Sequence, residues 1–243
     1  MRNICFLFIL VLIFNGCRKE KEVLTGDILG KIMVYNKDVS ESSDKSGIQV
    51  NLFSEESLLK TTVTDTRGIY RLETVPYGKY RIDLQKENYL EEENYLGGAD
   101  IYEFNHIGGY SPTLKDLRIY EIPDYVLQID SVKALPSAGE LLVYLKVDGD
   151  TIFPFFSYTL LGYYSNNPDV SEDNSSGHAS GIIGNGQPLF SYKAPAEIFD
   201  LYINLPDTIY MRFYLLTMGQ TTYYPINKEA LGKPSNVISF SWQ

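Results

Sequence analysis

The sequence predicts an all-β chain built as two consecutive small antiparallel β-sandwich domains, and three observations lead to this prediction. Short runs of apolar and β-branched residues alternate with polar residues at a period of two, as in strands that bury one face. Clusters of Gly, Pro, Asn and Asp separate these runs and indicate turns. The length of 243 residues suits one large domain or two small ones, at roughly 150 residues per domain.

The chain is acidic, with 31 Asp and Glu residues against 21 Lys and Arg residues and a formal net charge of −10. General binding to nucleic acid is therefore excluded as a function, because contacts with phosphates need clustered Lys and Arg. The share of hydrophobic residues, 44%, also excludes an intrinsically disordered chain. We expect a packed protein with no nucleic-acid partner.

The N-terminus has the pattern of a secretory leader, because an apolar run over residues 4–14 follows a single basic residue. The run is shorter than the roughly 20 residues of a membrane-spanning helix. Gly16 before Cys17 resembles a bacterial lipoprotein signal, which implies removal of residues 1–16 as a signal peptide and attachment of lipid to Cys17. The resemblance also implies a lipidated tether over residues 17–23 and a location at the bacterial outer membrane, facing the periplasm or exposed at the surface. An ordinary secretory signal or an N-terminal anchor helix is the alternative.

The second cysteine, Cys5, lies in the predicted leader, so residues 18–243 contain no cysteine. After removal of the leader this excludes a disulfide framework and a cysteine-based metal site. Apolar cores should therefore stabilise both domains.

The first predicted domain spans residues 24–122. Its alternation predicts strands at residues 26–35, 47–53, 60–64, 69–72, 79–84 and 114–120. Residues 65–68 (DTRG) and 75–78 (VPYG) are typical of turns between strands. Residues 87–109 combine an acidic run with interleaved tyrosines, which predicts a solvated loop or, alternatively, a patch that binds a cation or a sugar.

Three motifs of this domain, in the expected order, resemble those of carboxypeptidase regulatory-like domains. Residues 62–72 (TVTDTRGIYRL) resemble the T-D-x-x-G-x-Y motif, residues 75–80 (VPYGKY) the V-P-x-G-x-Y motif, and residues 47–50 (GIQV) the G-x-x-V strand. The resemblance implies a transthyretin-like β-sandwich that accompanies other domains and is not itself catalytic.

The same resemblance implies roles for single residues. Asp65 and Gly68 are implied to be turn residues, and Tyr70 and Tyr80 to belong to the core or to stack on other rings. A metal bound at Asp65 is the alternative interpretation.

The second predicted domain spans residues 124–243, with strands at residues 125–132, 141–147, 153–164, 198–205, 208–216, 223–224 and 237–242. Residues 165–186 lack apolar periodicity, which predicts a mobile loop. Residues 208–214 (TIYMRFY) and 234–237 (PSNV) resemble the end of a fibronectin type III domain, which implies that Tyr210 is a corner tyrosine or a core aromatic. Another immunoglobulin-like sandwich is the alternative.

The sequence contains none of the common catalytic patterns. Neither His106 nor His178 begins a zinc-peptidase motif, and the chain has no G-x-S-x-G elbow. The Gly-rich residues 181–186 lack the Lys-Ser/Thr of a phosphate-binding loop. We therefore predict a protein that is not an enzyme and that uses no metal and no cofactor.

Two adjacent aromatic pairs, Tyr163-Tyr164 and Tyr223-Tyr224, are the candidate ligand-binding residues. Neighbours along a strand face opposite sides, so one tyrosine of each pair should face outward. An exposed tyrosine can stack on a sugar ring or anchor a protein contact. The alternative is that these tyrosines only favour strand formation.

The predicted function is a binding or scaffolding module that is held at the membrane by its N-terminal lipid, with a glycan or an outer-membrane protein as its partner. Residues 130–132, 150–152 and 207–209 resemble the D-S/T-aliphatic O-glycosylation sites of the Bacteroidetes, which hints at the source. One alternative is a glycan-processing enzyme or its accessory subunit, which a convergent carboxylate pair in a deep pocket would favour. Another is a structural spacer, which a rigid end-to-end arrangement with no concave surface would favour.

Overall fold

The computed structural model describes residues 23–92, 103–107, 117–135, 140–148, 158–183, 189–193, 208–218, 220 and 226–241. The first half of the chain contributes strands β1 (Thr25–Tyr35), β2 (Gln49–Ser54), β3 (Ser57–Val63), β4 (Ile69–Pro76), β5 (Gly78–Gln85), β6 (Tyr89–Glu91), β7 (Glu103–His106) and β8 (Leu117–Glu121). The second half contributes β9 (Val126–Leu135), β10 (Glu140–Asp148), β11 (Tyr158–Ser165), β12 (Gly177–Ile183), β13 (Leu189–Lys193), β14 (Ile209–Leu216) and β15 (Ile238–Phe240). A short 3-10 helix covers Lys228–Ala230. The predicted all-β fold class is confirmed.

Two sheets form the first half, with strand orders β4-β1-β8-β6 and β3-β2-β5-β7. Side chains alternate between buried and exposed along β1 and β5, because successive residues of a strand point to opposite faces. The inward residues, among them Ile28, Ile32 and Ile82, form one apolar cluster together with Tyr70 and Tyr80. The pairing of β1 with β8 is parallel, unlike the other pairings within the described residues.

Two further sheets form the second half, with strand orders β13-β10-β9 and β12-β11-β14-β15. Leu141 and Val143 of β10 meet Leu160 of β11 and Phe213 of β14 in one buried cluster. The strands of these sheets therefore share a core that is separate from the core of the first half. The strands predicted at residues 198–205 and 223–224 lie outside the described residues.

The turn over residues 65–68 follows directly from its side chains. One carboxylate oxygen of Asp65 accepts hydrogen bonds from the backbone N–H groups of Arg67 and Ile69, at 2.9 Å each. Gly68 has φ +79°, and a Cβ atom there would lie 2.3 Å from the carbonyl oxygen of Ile32. Only glycine satisfies both conditions without strain. Asp65 and Gly68 thus act as turn residues.

Two segments differ from the sequence-based expectation. Residues 177–183 were expected within a mobile loop over residues 165–186, but they form β12 and pair in register with β11. The solvated loop expected over residues 87–109 contains β6 and β7. Their sequences carry few apolar residues, so periodicity does not reveal them. These strands form because each pairs with a neighbouring strand, as β12 does with β11, and the pairing provides hydrogen-bond partners for its backbone N–H and C=O groups.

The two halves touch at the end of β1. Lys37 places its ammonium 2.5 Å from the Asp124 carboxylate. Val39 packs against the apolar cluster of the second half. The Gln220 side chain donates to the backbone carbonyl of Glu91 at 2.5 Å. The described residues contain no helix that has the length and apolar character needed to cross a membrane.

Candidate functional site

The sheet β12-β11-β14-β15 buries apolar side chains on both of its faces. Its inner face contributes Tyr164 to the core between the sheets. Its outer face carries a second buried cluster, made of Leu161, Tyr163, Val170 and Tyr214. Because neighbours along a strand point to opposite faces, Tyr163 and Tyr164 belong to different clusters.

The expectation that one tyrosine of the Tyr163-Tyr164 pair is exposed is wrong. Tyr163 is only 6% exposed and Tyr164 only 4%. The pair does face both sides of the sheet, but residues 166–176, which we call the cap, fold over the outer side. Val170 of the cap is completely buried there. The other candidates, Tyr223, Tyr224 and Cys17, lie outside the described residues.

The cap is held by hydrogen bonds within its own chain segment. The Asn174 side-chain oxygen accepts from the backbone N–H of Ser171 at 2.6 Å and from its hydroxyl at 3.0 Å. The Asn167 side-chain oxygen accepts from the backbone N–H of Asp169 at 3.0 Å. Short Asn and Ser side chains favour such local bonds over helix or sheet. The predicted mobile loop is therefore, in this part, an ordered cover.

Two polar contacts attach the cap to the rest of the second half. The Tyr214 hydroxyl donates to a Glu172 carboxylate oxygen at 2.5 Å. The next residue, Asp173, forms an ion pair with Lys228 of the 3-10 helix. Burial, and then the hydrogen bond to Glu172, raise the pKa of the Tyr214 hydroxyl above its ordinary value, so it stays a donor throughout the neutral range.

A cavity of about 480 Å³ opens between the cap, β12 and the 3-10 helix. We call it the Tyr163 depression; its lining is Tyr163, Glu172, Asp173, Ser175, Ser176, Gly177, His178, Ile226 and Lys228. The Tyr163 ring packs edge-on against Tyr214, with centroids 5.6 Å apart and an interplanar angle of 89°. It lies 6.0 Å from the His178 ring. The lining of the Tyr163 depression thus combines the Tyr163 and His178 rings with side chains that donate or accept hydrogen bonds.

Arg212 lies beside this site, since it is the partner of Tyr163 in the pairing of β11 with β14. Its Nε atom is buried and has no hydrogen-bond partner among the described residues. A buried donor that lacks a partner costs about 1–3 kcal/mol. Buried polar groups are nearly always hydrogen-bonded, so this donor is an exception, and it lies on the same face of the sheet as Tyr163.

The two carboxylates of the Tyr163 depression are both engaged within the fold. Glu172 accepts from Tyr214, and Asp173 is paired with Lys228, so each already holds a partner in the fold. Within the described residues, no three side chains of the metal-binding types converge on one point. The arrangement can bind a polar ligand through hydrogen bonds and ring contacts.

A larger cavity of about 530 Å³ lies in the first half, beside residues 83–91. Its one aromatic ring, Tyr89, is covered by the Lys86 ammonium, which lies 4.9 Å from the ring centroid. Four carboxylates line it, from Asp83, Glu87, Glu91 and Glu229. One ring and four carboxylates border this cavity, whereas two rings, Tyr163 and His178, border the Tyr163 depression. We take the Tyr163 depression as the candidate site.

The residues singled out in the first half have structural positions. Tyr70 and Tyr80 are buried in its core, and the Tyr80 hydroxyl donates to the carbonyl of Pro76 at 2.9 Å. The hydrogen bonds from Ile69 and Arg67 hold the pKa of the Asp65 carboxyl below its ordinary value. Asp65 is thus occupied inside its own turn. Sequence analysis singled out Tyr163 but not the depression around it, because the walls of the Tyr163 depression come from separate chain segments.

No protein-family model and no curated protein matches this chain. Several solved structures are similar. A DUF3823 family protein from Bacteroides uniformis has 12% identity over 89% of this chain and 99% of its own, with a TM-score of 0.29. A DUF3823 family protein from Parabacteroides merdae has 10% identity over 90% and 100%, with a TM-score of 0.33. BcpA, the major pilin subunit of Bacillus cereus, has 12% identity over 88% and 68%, with a TM-score of 0.38.

Proposed function

We propose that this chain is a non-enzymatic binding protein, anchored by lipid at the bacterial outer membrane, that holds a glycan in the Tyr163 depression. The observation that carries the proposal is the depression itself, a concave site of about 480 Å³ with an aromatic edge and mixed polar groups. Sites for small ligands combine concave shape, an apolar surface and a few placed polar groups in this way.

A glycan suits the chemistry of this lining. A sugar ring offers C–H groups that pack against aromatic side chains, and the Tyr163 and His178 rings border the site. Its hydroxyl groups both donate and accept, and they match the hydroxyls of Ser175 and Ser176 and the ammonium of Lys228. The lining contains charges of both signs, which favours a neutral polyhydroxyl ligand over a highly charged one.

Binding is favoured over the two other functions considered. A glycoside hydrolase needs two carboxylates with different protonation states at a fixed separation. In the Tyr163 depression both carboxylates are instead used to attach the cap. A structural spacer does not require a concave site or an ordered cap beside it, whereas a binding protein requires a concave site. An accessory role beside a glycan-processing enzyme is compatible with the same binding chemistry.

The finer assignments belong to the same proposal. The first half is proposed to be a carboxypeptidase regulatory-like module, supported by the turn at Asp65 and Gly68 and the buried rings of Tyr70 and Tyr80. The second half is proposed to be a fibronectin type III-like module. Cys17 is proposed to carry the lipid, as the residue after the leader.

The glycan proposal is tested by filling the cavity. The chain without its leader is screened on a glycan array, and the bound glycans are then titrated by calorimetry. The variant Ser175→Trp should weaken binding by roughly tenfold or more, because its indole occupies the cavity. The matched control Ser180→Trp changes an exposed serine of β12 that does not line the site, and it should bind normally. If the array shows no glycan while a pull-down captures a protein, the glycan proposal is wrong.

The anchor proposal is tested separately. The variant Cys17→Ser should abolish acylation, measured by mass spectrometry, and should release the protein from the membrane fraction. Unchanged sedimentation of this variant with membranes would contradict the lipid anchor.

A further inference from the structure

Three exposed apolar side chains meet at the end of the first half where the chain enters its first strand. Leu24 is 65% exposed, Tyr77 65% and Ile107 66%. We call them the apolar row. Val23, the residue before Leu24, is exposed as well. Side chains of this kind usually lie in a core, so a group of them at one end of a molecule points to a contact.

Strand pairing places the three residues side by side. Thr25 pairs with Pro76, and the next backbone N–H, that of Tyr77, donates to the carbonyl of Leu24 at 3.0 Å. Gly78 pairs with His106, so the next step along the same ladder sets Tyr77 opposite Ile107. The apolar row therefore crosses three neighbouring chain segments that lie far apart in the sequence.

The tether ends at this row. Only residues 18–22 separate the predicted lipid-bearing residue, Cys17, from Val23. At about 3.3–3.6 Å per extended residue, the six steps from Cys17 to Val23 span no more than about 22 Å. A lipid on Cys17 thus keeps the apolar row within about that distance of the bilayer surface.

We propose that the apolar row docks into the interface of the bilayer that holds the lipid, and so fixes the orientation of the protein on the membrane. The inference rests on the lipid anchor of the proposed function. Tyrosine suits this position, because its ring is apolar and its hydroxyl remains with water and headgroups. The tether makes docking an intramolecular step, so a few side chains suffice.

Charge does not drive this contact. Glu55 and Glu56 form the turn between β2 and β3, and the pairing of Phe53 with Arg81 places that turn at the same end of the first half. Lys79, beside the row, is paired with Glu103 at 2.6 Å. The tether residues 18–22 add three basic and two acidic side chains, so charges of both signs meet at this end. Docking should therefore not require anionic lipid.

Docking at this end directs the rest of the molecule away from the membrane. β1 runs for 11 residues from the apolar row to Tyr35, just before the contact of Lys37 with Asp124. At about 3.3 Å per residue, this separates the row from the second half by roughly 35 Å. The second half, with the Tyr163 depression, stands on the side remote from the bilayer.

The test uses the acylated full-length mature protein in phosphatidylcholine vesicles with a nitroxide on the lipid headgroup. The variant Ile107→Cys is labelled with an environment-sensitive dye, which attaches there alone because the acylated Cys17 has no free thiol. The matched control is Ile182→Cys in the second half, where the isoleucine is equally exposed at 67%. We expect the nitroxide to quench the dye at position 107 several-fold more strongly than the dye at position 182.

Adding Leu24→Ser and Tyr77→Ser to Ile107→Cys should reduce quenching to the level of the control, while the protein still sediments with the vesicles. Equal quenching at positions 107 and 182 in acylated, sedimenting protein would overturn docking and leave the anchor intact. Protein that carries no lipid by mass spectrometry and does not sediment would overturn the anchor, and docking with it.

Discussion

The two halves of the chain are both paired sheets, but they treat their outer faces differently. The buried apolar residues described in the first half form one cluster between its sheets, except Tyr120, which stacks on Tyr35. The second half has such a cluster between its sheets and a further one on the outer face of β12-β11-β14-β15, beneath the cap. The additional cluster holds a polar segment in place, and the Tyr163 depression lies at its border. A concave site thus arises where a sheet is covered on both faces.

Among the described residues, the first half leaves more apolar side chains at its surface than the second half, where Val126, Tyr144 and Ile182 are exposed. The apolar row lies at the end near the tether, and Leu58, Leu59 and Val63 remain exposed along the edge strand β3. This difference fits the two proposals, in which the first half docks on the membrane through exposed side chains and the second half binds a ligand in a cavity. Substitutions in each half can show whether the two halves also unfold independently of each other.

The largest effect should come from a cavity in the core of the second half. Phe213 is almost completely buried between the sheets, and Phe213→Ala should lower the free energy of unfolding by about 3–5 kcal/mol. Hydrogen exchange followed by mass spectrometry should show the loss in peptides from β11 and β14, while peptides from β1 and β5 stay protected.

The matched change in the first half is Ile82→Ala, which should cost about 2–5 kcal/mol and show the reverse pattern. If either variant speeds exchange equally in both halves, the chain unfolds as one cooperative unit, and the energetic separation of the halves is wrong.

A smaller effect is expected from the contact between the cap and the sheet. Tyr214→Phe removes the hydroxyl that donates to Glu172, and hydrogen bonds to charged groups contribute about 1.5–3 kcal/mol. Exchange should accelerate in residues 166–176 more than in β11. An unchanged exchange rate in the cap would show that this hydrogen bond does not help to hold it.

The same variant has a pH signature. In the folded chain the pKa of Tyr214 lies above its value near 10 in the unfolded chain, because burial and Glu172 favour the neutral phenol. Below pH 10 both states keep the proton, so this tyrosine causes no pH dependence. Above pH 10 the unfolded state loses the proton first, and stability falls as the pH rises. Tyr214→Phe should reduce that alkaline fall, whereas Tyr70, whose pKa burial also raises, should preserve part of it from the first half.

The fold follows from the sequence where one residue type decides the local structure. Sequence alternation predicted β5, because Tyr80, Ile82 and Leu84 alternate with polar residues. The turn was predicted from Asp65 and Gly68, and the structure contains it. The sequence did not indicate β12, because its partner β11 supplies the apolar character of that pair.

The Tyr163 depression and the apolar row could not be predicted from the sequence, because both depend on contacts between distant chain segments. Alternation correctly placed Tyr163 and Tyr164 on opposite faces, but it could not show that the cap covers the outer one. The apolar row unites residues 24, 77 and 107 only through the register of three segments. Long-range pairing and covering segments are properties of the whole fold, and one sequence read in local windows does not contain them.

One completely buried valine in each half allows a matched test of the cap and the first core. Val170→Ala in the cap and Val50→Ala in the first core each remove two methyl groups, and each should cost about 1.6 kcal/mol. Only Val170→Ala should raise exchange in residues 166–176, measured by mass spectrometry. A Val170 variant with unchanged stability would show that the outer cluster does not contribute to folding.

The smallest effect is expected where the halves touch. Lys37→Ala removes the ion pair with Asp124, and exposed pairs contribute about 0.2–1 kcal/mol. The control Lys79→Ala removes the pair with Glu103 inside the first half and should cost a similar amount. Urea denaturation at low and high salt measures both, and salt should diminish both effects through screening. A loss well above 1 kcal/mol for Lys37→Ala alone would mean that charge, rather than the apolar contact of Val39, joins the two halves.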